Sequence, residues 1–261
     1  MKNIELIEEL QNKISTIYLK EQLFPLRGEN DSYEIDNKPI LIWHGDVTRH
    51  CWCHYKAHFN FDDNIDELLY SSDEIVYFTA HLYLYRPYIS TPLRDAYSIE
   101  GKMIYPALYN LPRKRYDMYI GIVFEKIYNY WDRIGDLIAA FFPHLFKGNI
   151  YLNTTIKGLK DKYNGNENFE WLLNFVNNEY SDFNTQRINI VHYTSHNTST
   201  KSQQLRQVTD YNETKLLSEK ILNFPDYFKE MNELAKTGFI KTRRFLDDVN
   251  KVENYKCPDL S

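Results

Sequence analysis

Apolar residues recur at steps of three and four along most of this chain. The longest run, from about Arg113 to Phe142, aligns Tyr116, Ile120, Val123, Phe124, Ile127, Trp131, Ile134, Leu137, Ile138 and Phe141. That is the helical period, and it predicts a long core helix stopped at Pro143, because proline cannot continue the hydrogen-bond ladder. Ile4, Ile7, Leu10, Ile14 and Ile17 predict an amphipathic helix over about the first twenty residues, broken by Pro25 and Gly28. Asp62 or Asp63 can cap a third helix, whose buried stripe of Ile65, Leu68, Leu69, Ile75, Val76 and Leu82 ends before Pro87.

Further on, Phe169, Leu172, Leu173 and Val176 predict another helix, and Ser181 or Asp182 can open the next, which carries Arg187 and His192. Two more helical patterns span Leu216 to Phe224 and Phe228 to Val249. Between these elements, residues 26 to 60 mix turn formers with one apolar run, Pro39 to Trp43, that reads as a strand or extended segment. Pro87, Pro92, Pro106 and Pro112 leave little room for regular structure. Ser195 to Thr209 lacks an apolar period and reads as a mobile polar loop. The fold expected is all-α, an up-and-down helical bundle over 111–261 with an irregular N-terminal region, 1–110.

Composition narrows the classes. With 261 residues, 43% hydrophobic and 16% aromatic, the chain can bury a sizeable core. Its net charge of −5 argues against a general nucleic-acid coat, since non-specific binding rests on neutralising many phosphates. The acids in Met1 to Leu10 do not suit a signal peptide, and the best apolar stretch, Tyr116 to Phe142, is broken by Glu125, Lys126, Asp132, Arg133 and Asp136. A cytoplasmic protein without a membrane span is expected. Cys51, Cys53 and Cys257 are too few for a disulfide framework.

Candidate chemistry centres on Arg187-Ile-Asn-Ile-Val-His192-Tyr193. Arginine grips a phosphate bidentately, and histidine exchanges a proton near neutral pH. On a helix five residues advance the azimuth by roughly 140°, and a long arginine can still converge with the histidine on one anion. The pair suits metal-free RNA cleavage, with the ribose 2′-OH attacking the adjacent phosphate, His192 moving the proton and Arg187 stabilising the developing charge. Asn189 and Tyr193 are neighbours suited to hydrogen bonding and base stacking. Asp136 can orient His192, unless Asp132 and Asp136 face solvent and Arg133 pairs locally.

Other clusters read more weakly. Arg49 to His54 repeats the Arg-x4-His spacing. His44, His50, Cys51, Cys53, His54 and His58, with Cys257, are zinc-ligand types, but Cys-x-Cys lacks the usual gap and no second pair follows, so no metal or other cofactor is expected. His192 and His196 could clamp a metal across one turn, without the glutamate of the metalloprotease signature. Arg113-Lys-Arg115 and Lys241-Thr-Arg-Arg244 are compact basic clusters that could track an RNA backbone or form solvated faces.

The long helix with Tyr130-Trp-Asp-Arg-Ile-Gly-Asp-Leu137, followed by Arg187-Ile-Asn-Ile-Val-His192, resembles the HEPN superfamily over about Arg113 to Val249. The resemblance implies an up-and-down bundle that dimerises and a metal-independent endoribonuclease, with Arg187 and His192 at the R-x4-6-H positions and two copies apposed to build one cleft. Other members have lost catalysis and serve as binding or assembly modules. That alternative makes residues 1–110 a surface for a protein partner. The chain departs from the family in one position: Ile188 follows the arginine where Asn, Asp or His is common, and Asn189 comes one step later.

Overall fold

The computed structural model describes residues 2–28, 34–35, 37–40, 42–43, 61–142, 145–146, 150–190 and 194–252. The helices are α1 (Lys2–Glu21), α2 (Phe61–Tyr85), α3 (Leu111–Ala140), α4 (Leu152–Tyr163) and α5 (Glu167–Asn177). They continue with α6 (Glu179–Ile188), α7 (His196–Arg206), α8 (Tyr211–Leu222) and α9 (Phe224–Val252). Two short antiparallel ribbons complete the described residues: β1 (Glu34–Ile35) with β2 (Lys38–Pro39), and β3 (Tyr97–Ile99) with β4 (Lys102–Ile104). The protein is an all-α helical bundle.

Its residues gather into two compact units, each discontinuous in sequence. One holds 1–23, 74–125 and 185–231, the other 24–73, 126–184 and 232–261. Each therefore draws on both sides of residue 110, and the chain passes from one to the other within α2, α3, α6 and α9.

In the first unit, Ile14 of α1 and Leu23 just beyond the helix pack with Val76, Ala80 and Tyr83 of α2, with Ile17 and Tyr18 alongside. Beyond α2, a 3-10 turn (Arg86–Tyr88) leads into the β3–β4 hairpin, which the proline spacing had not led us to expect. The hairpin lies between the prolines, where Glu100 and Gly101 turn the chain with positive φ. Asn110 closes this connection. Its Oδ1 accepts from the Arg113 N–H (2.9 Å) and the Ser90 N–H (3.2 Å), so one side chain caps α3 and ties down the loop. Pro112 sits in the first turn of α3, where the missing N–H costs nothing.

The second unit is built on aromatic packing. Trp131 is fully buried against Phe175, ring centroids 4.3 Å apart, and Phe142, Tyr163, Phe169 and Phe245 form an adjoining group. Two glycines allow close approach. A Cβ on Gly135 would lie 2.8 Å from the Leu152 backbone nitrogen, and one on Gly238 would run into the Trp131 indole. Tyr130 donates its hydroxyl to the Ala235 carbonyl (3.0 Å), satisfying the polar tip of a buried ring.

Three sequence expectations need correction. Ser195 to Thr209 is not a loop but chiefly α7, capped by the Ser195 hydroxyl. It carries no apolar stripe because its buried positions, Thr200 and Gln204, are polar and hydrogen-bonded. Second, α4 fills a stretch read as a connection, its Leu152, Thr155, Ile156 and Leu159 buried among lysines and threonines that blurred the period. Third, among the described residues of the run from Pro39 to Trp43 only Pro39 is extended. Ile40, Ile42 and Trp43 are helical, and Trp43 donates its indole N–H to Asp247 (2.8 Å).

Candidate functional site

Arg187 lies in the last turn of α6. Glu179 and Asp182 in the first turn and Arg187 in the last complement the helix dipole, so the sequence favours this direction and this length. The guanidinium-bearing residue and Ile188 are half-buried, whereas Asn189 is exposed. After Ile188 the helix widens into a π-type turn at Asn189 and Ile190, and the Thr194 N–H donates to the Asn189 carbonyl (2.9 Å). Such widened turns concentrate at functional positions. Val191, His192 and Tyr193 lie outside the described residues, so two members of the predicted group, His192 and Tyr193, have no described geometry.

Asp136 belongs to the second unit, whereas Arg187 and Asn189 belong to the first. Its carboxylate accepts from Arg133 one turn earlier on α3 (3.1 Å), and burial raises its pKa while Arg133 pulls it down. Arg133 therefore pairs locally, whereas Asp132 and Asp136 are both half-buried rather than facing solvent.

The structure takes apart the basic clusters. Arg113 is 1% exposed and binds Asp117 through Nε (2.9 Å), leaving only Lys114 and Arg115 of that cluster at the surface. In the other cluster Arg243 is buried, and Lys241 is half-buried with Glu167 3.7 Å away. Neither forms a continuous basic stripe.

What sequence reasoning missed is a buried polar cluster in the first unit. Arg113 and Asp117, four apart on α3, meet His196 of α7, whose Nε2 lies 3.7 Å from Asp117 Oδ1 and 3.4 Å from the Thr200 hydroxyl. The imidazole packs edge-on against Phe224, centroids 4.8 Å apart. Burial, with Arg113 and Lys220 adding to it, pushes the His196 pKa down to about 3, so the ring is neutral at physiological pH. Burial raises Asp117 to about 6 against the opposing pull of Arg113. Arg113 Nη2 and Asp117 Oδ2 have no hydrogen-bond partners among the described residues. The signal available in sequence was the Arg-x3-Asp spacing at the start of α3, obscured because Arg113 also begins a basic triplet.

At neutral pH His196 is an uncharged imidazole enclosed by Phe224, Thr200 and Asp117, and His192, its partner in the pairing considered for a metal, lies outside the described residues. Among the described residues no group of His, Cys, Asp and Glu could hold a metal ion, and the cluster at 44–58 with Cys257 lies outside them. One groove of about 580 Å³ opens in the first unit beside Arg86, Arg94, Glu219 and Asp226. There Arg86 binds Asp226 (2.7 Å), Tyr83 donates to the same carboxylate (2.6 Å), and Arg94 donates to the Pro87 carbonyl (3.0 Å), so much of its polar lining is engaged within the protein.

Among the described residues no helix is long and apolar enough to cross a membrane. The chain matches no family model, no curated protein and no solved structure.

Proposed function

We propose that this chain is a HEPN-type helical protein that cleaves RNA without a metal ion. Arg187 would clamp the scissile phosphate and His192 would transfer the proton between the 2′-OH and the leaving oxygen. The observation that supports this reading is the end of α6: Arg187 sits in its last turn, half-buried, and the chain then turns within a bond from Thr194 back to Asn189. A helical span of five residues covers only about 7.5 Å along the axis, a length an arginine side chain bridges.

The second reading, a catalytically silent binding module, draws on Ile188, half-buried directly after Arg187 where the related proteins commonly carry a polar residue. One experiment separates the two. A labelled mixed-sequence RNA is incubated in excess chelator with the wild type, Arg187→Ala and His192→Ala, all checked for helicity and thermal midpoint. Loss of one charge-stabilising donor is expected to lower the rate about 100-fold or more. Equal cleavage by all three proteins would eliminate this active site, and no cleavage by any would favour the binding module.

A further inference from the structure

The groove beside Arg86 and Arg94 holds charges that the protein itself does not match. Its volume of about 580 Å³ lies within the range of about 300–1,000 Å³ that small-ligand sites occupy. Two of its four charged side chains satisfy each other. Asp226 accepts from Tyr83 at one oxygen (2.6 Å) and from Arg86 at the other (2.7 Å). Arg94 is held differently. Its Nη1 donates to the carbonyls of Pro87 (3.0 Å) and Ile89 (3.2 Å), with that of Arg86 at 3.5 Å, and its backbone N–H donates to the Thr91 hydroxyl (3.3 Å). These bonds fix the guanidinium by one corner. Among the described residues no carboxylate pairs with Arg94, and its Nε and Nη2 have no partner. Asp95, next in the chain, neither bonds to it nor lines the groove. Nε and Nη2 form the edge with which a guanidinium grips a carboxylate through two parallel bonds.

The opposite charge comes from α8. Glu219 is exposed, and the cation beside it, Lys215 one turn earlier, stays 3.8 Å away, a surface contact that water screens. Pro87 and Leu222 supply apolar lining. We propose that this groove binds a small zwitterion, a free amino acid or short unblocked peptide with an apolar side chain, its carboxylate on the Nε–Nη2 edge of Arg94 and its ammonium on Glu219. A simple anion would meet Glu219 as a like charge, and a simple cation would meet Arg94, so charge complementarity selects a ligand that carries both signs. All the groups involved belong to the first unit. The site stands whether or not Arg187 and His192 cleave RNA.

Calorimetry of the full chain near neutral pH and at low salt tests this with L-leucine, alanyl-leucine and alanyl-leucyl-alanine, which step the distance between the two charged ends. At least one is expected to bind. Acetylating its amine or amidating its carboxylate should each weaken binding at least tenfold. Glu219→Gln should bind the free and acetylated forms nearly alike, and Arg94→Gln the free and amidated forms. The blocked probes and Glu219→Gln leave the bonds of Arg94 in place, so the test does not depend on the folding of Arg94→Gln. Absence of binding by all three probes would overturn the proposal. So would an acetylated form that binds as tightly as the free one, which would make the groove a site for simple carboxylates. A preference for free ends that survives both substitutions would overturn it too, by placing the ligand elsewhere.

Discussion

At the scale of single residues, Arg113, Asp117 and His196 behave oppositely to their surface appearance in sequence. Arg113 reads as one of a basic triplet, yet it is buried because Asp117 lies one turn along the same face and takes its Nε–H. His196 reads as the start of a polar loop, yet it is enclosed by Phe224, Thr200 and the Arg113–Asp117 pair. A linkage consequence follows. His196 is held neutral well below its unfolded pKa, so it contributes stability that is present above about pH 6.5 and is lost as pH falls towards 3. Asp117, raised to about 6, works the other way, binding its proton more readily in the folded state and adding stability between about pH 6 and 4. Comparison with His196→Gln isolates the histidine. The stability advantage of wild type over this variant, from urea unfolding, is expected to shrink steadily from pH 7 to pH 4. A constant difference across that range would show that the ring does not take up a proton on unfolding.

At the scale of elements, the long apolar stripes were legible, whereas α7, which has none, and α4, whose stripe of Leu152, Ile156 and Leu159 is short, were not. The stripes of α1, α2, α3, α8 and α9 are all visible in sequence, although α8 begins at Tyr211 rather than near Leu216 and α9 at Phe224 rather than Phe228. By contrast α7 is held by Thr200, Gln204 and His196, whose hydrogen-bond partners come from elsewhere in the chain as well as from α7 itself, and no periodicity scale registers that. Close approach between elements is another thing hidden from pattern. Along α3, Gly121 faces open space whereas Gly135 abuts the α4 backbone, although both are simply glycines inside a helical run. Gly121→Ala is therefore expected to stabilise the protein by about 0.5–1 kcal/mol through helix propensity. Gly135→Ala should destabilise it by about 1–3 kcal/mol because backbone at Leu152 cannot yield as a side chain would. Chemical denaturation of the two variants, read by helicity, checks the opposite signs. Two shifts of the same sign would mean that the backbone contact is not limiting.

At the scale of the whole molecule, the expected helical class is the one observed, whereas the two compact units interleave segments from either side of residue 110. Long helices cause this. Each of α2, α3 and α9 is long enough to contribute to both units, so contact clusters need not follow chain order. The proposed activity adds an expectation about assembly, since one Arg187–His192 cleft would be built from two apposed copies. Sedimentation at the concentrations that cleave RNA should then give twice the 31.4 kDa chain mass, and specific activity should fall on dilution below the dimer's dissociation constant. Activity from a strictly monomeric species would leave the two residues acting within one chain.

By itself the sequence determined the helical class, the place and face of the helices with a long apolar period, and the short list of residues fit for phosphate chemistry. Those follow from spacing and side-chain type, which are local properties. Only the tertiary structure decided that Arg113 turns inward, that a polar segment folds as α7, that Asp136 is bound by Arg133, and that the stripe of α1 runs out beyond its partner. Each of these depends on which groups from distant parts of the chain, or from the next turn of one helix, are present to satisfy a charge, a hydrogen bond or an apolar face. Burial is a property of neighbours, and the chain's order does not name them.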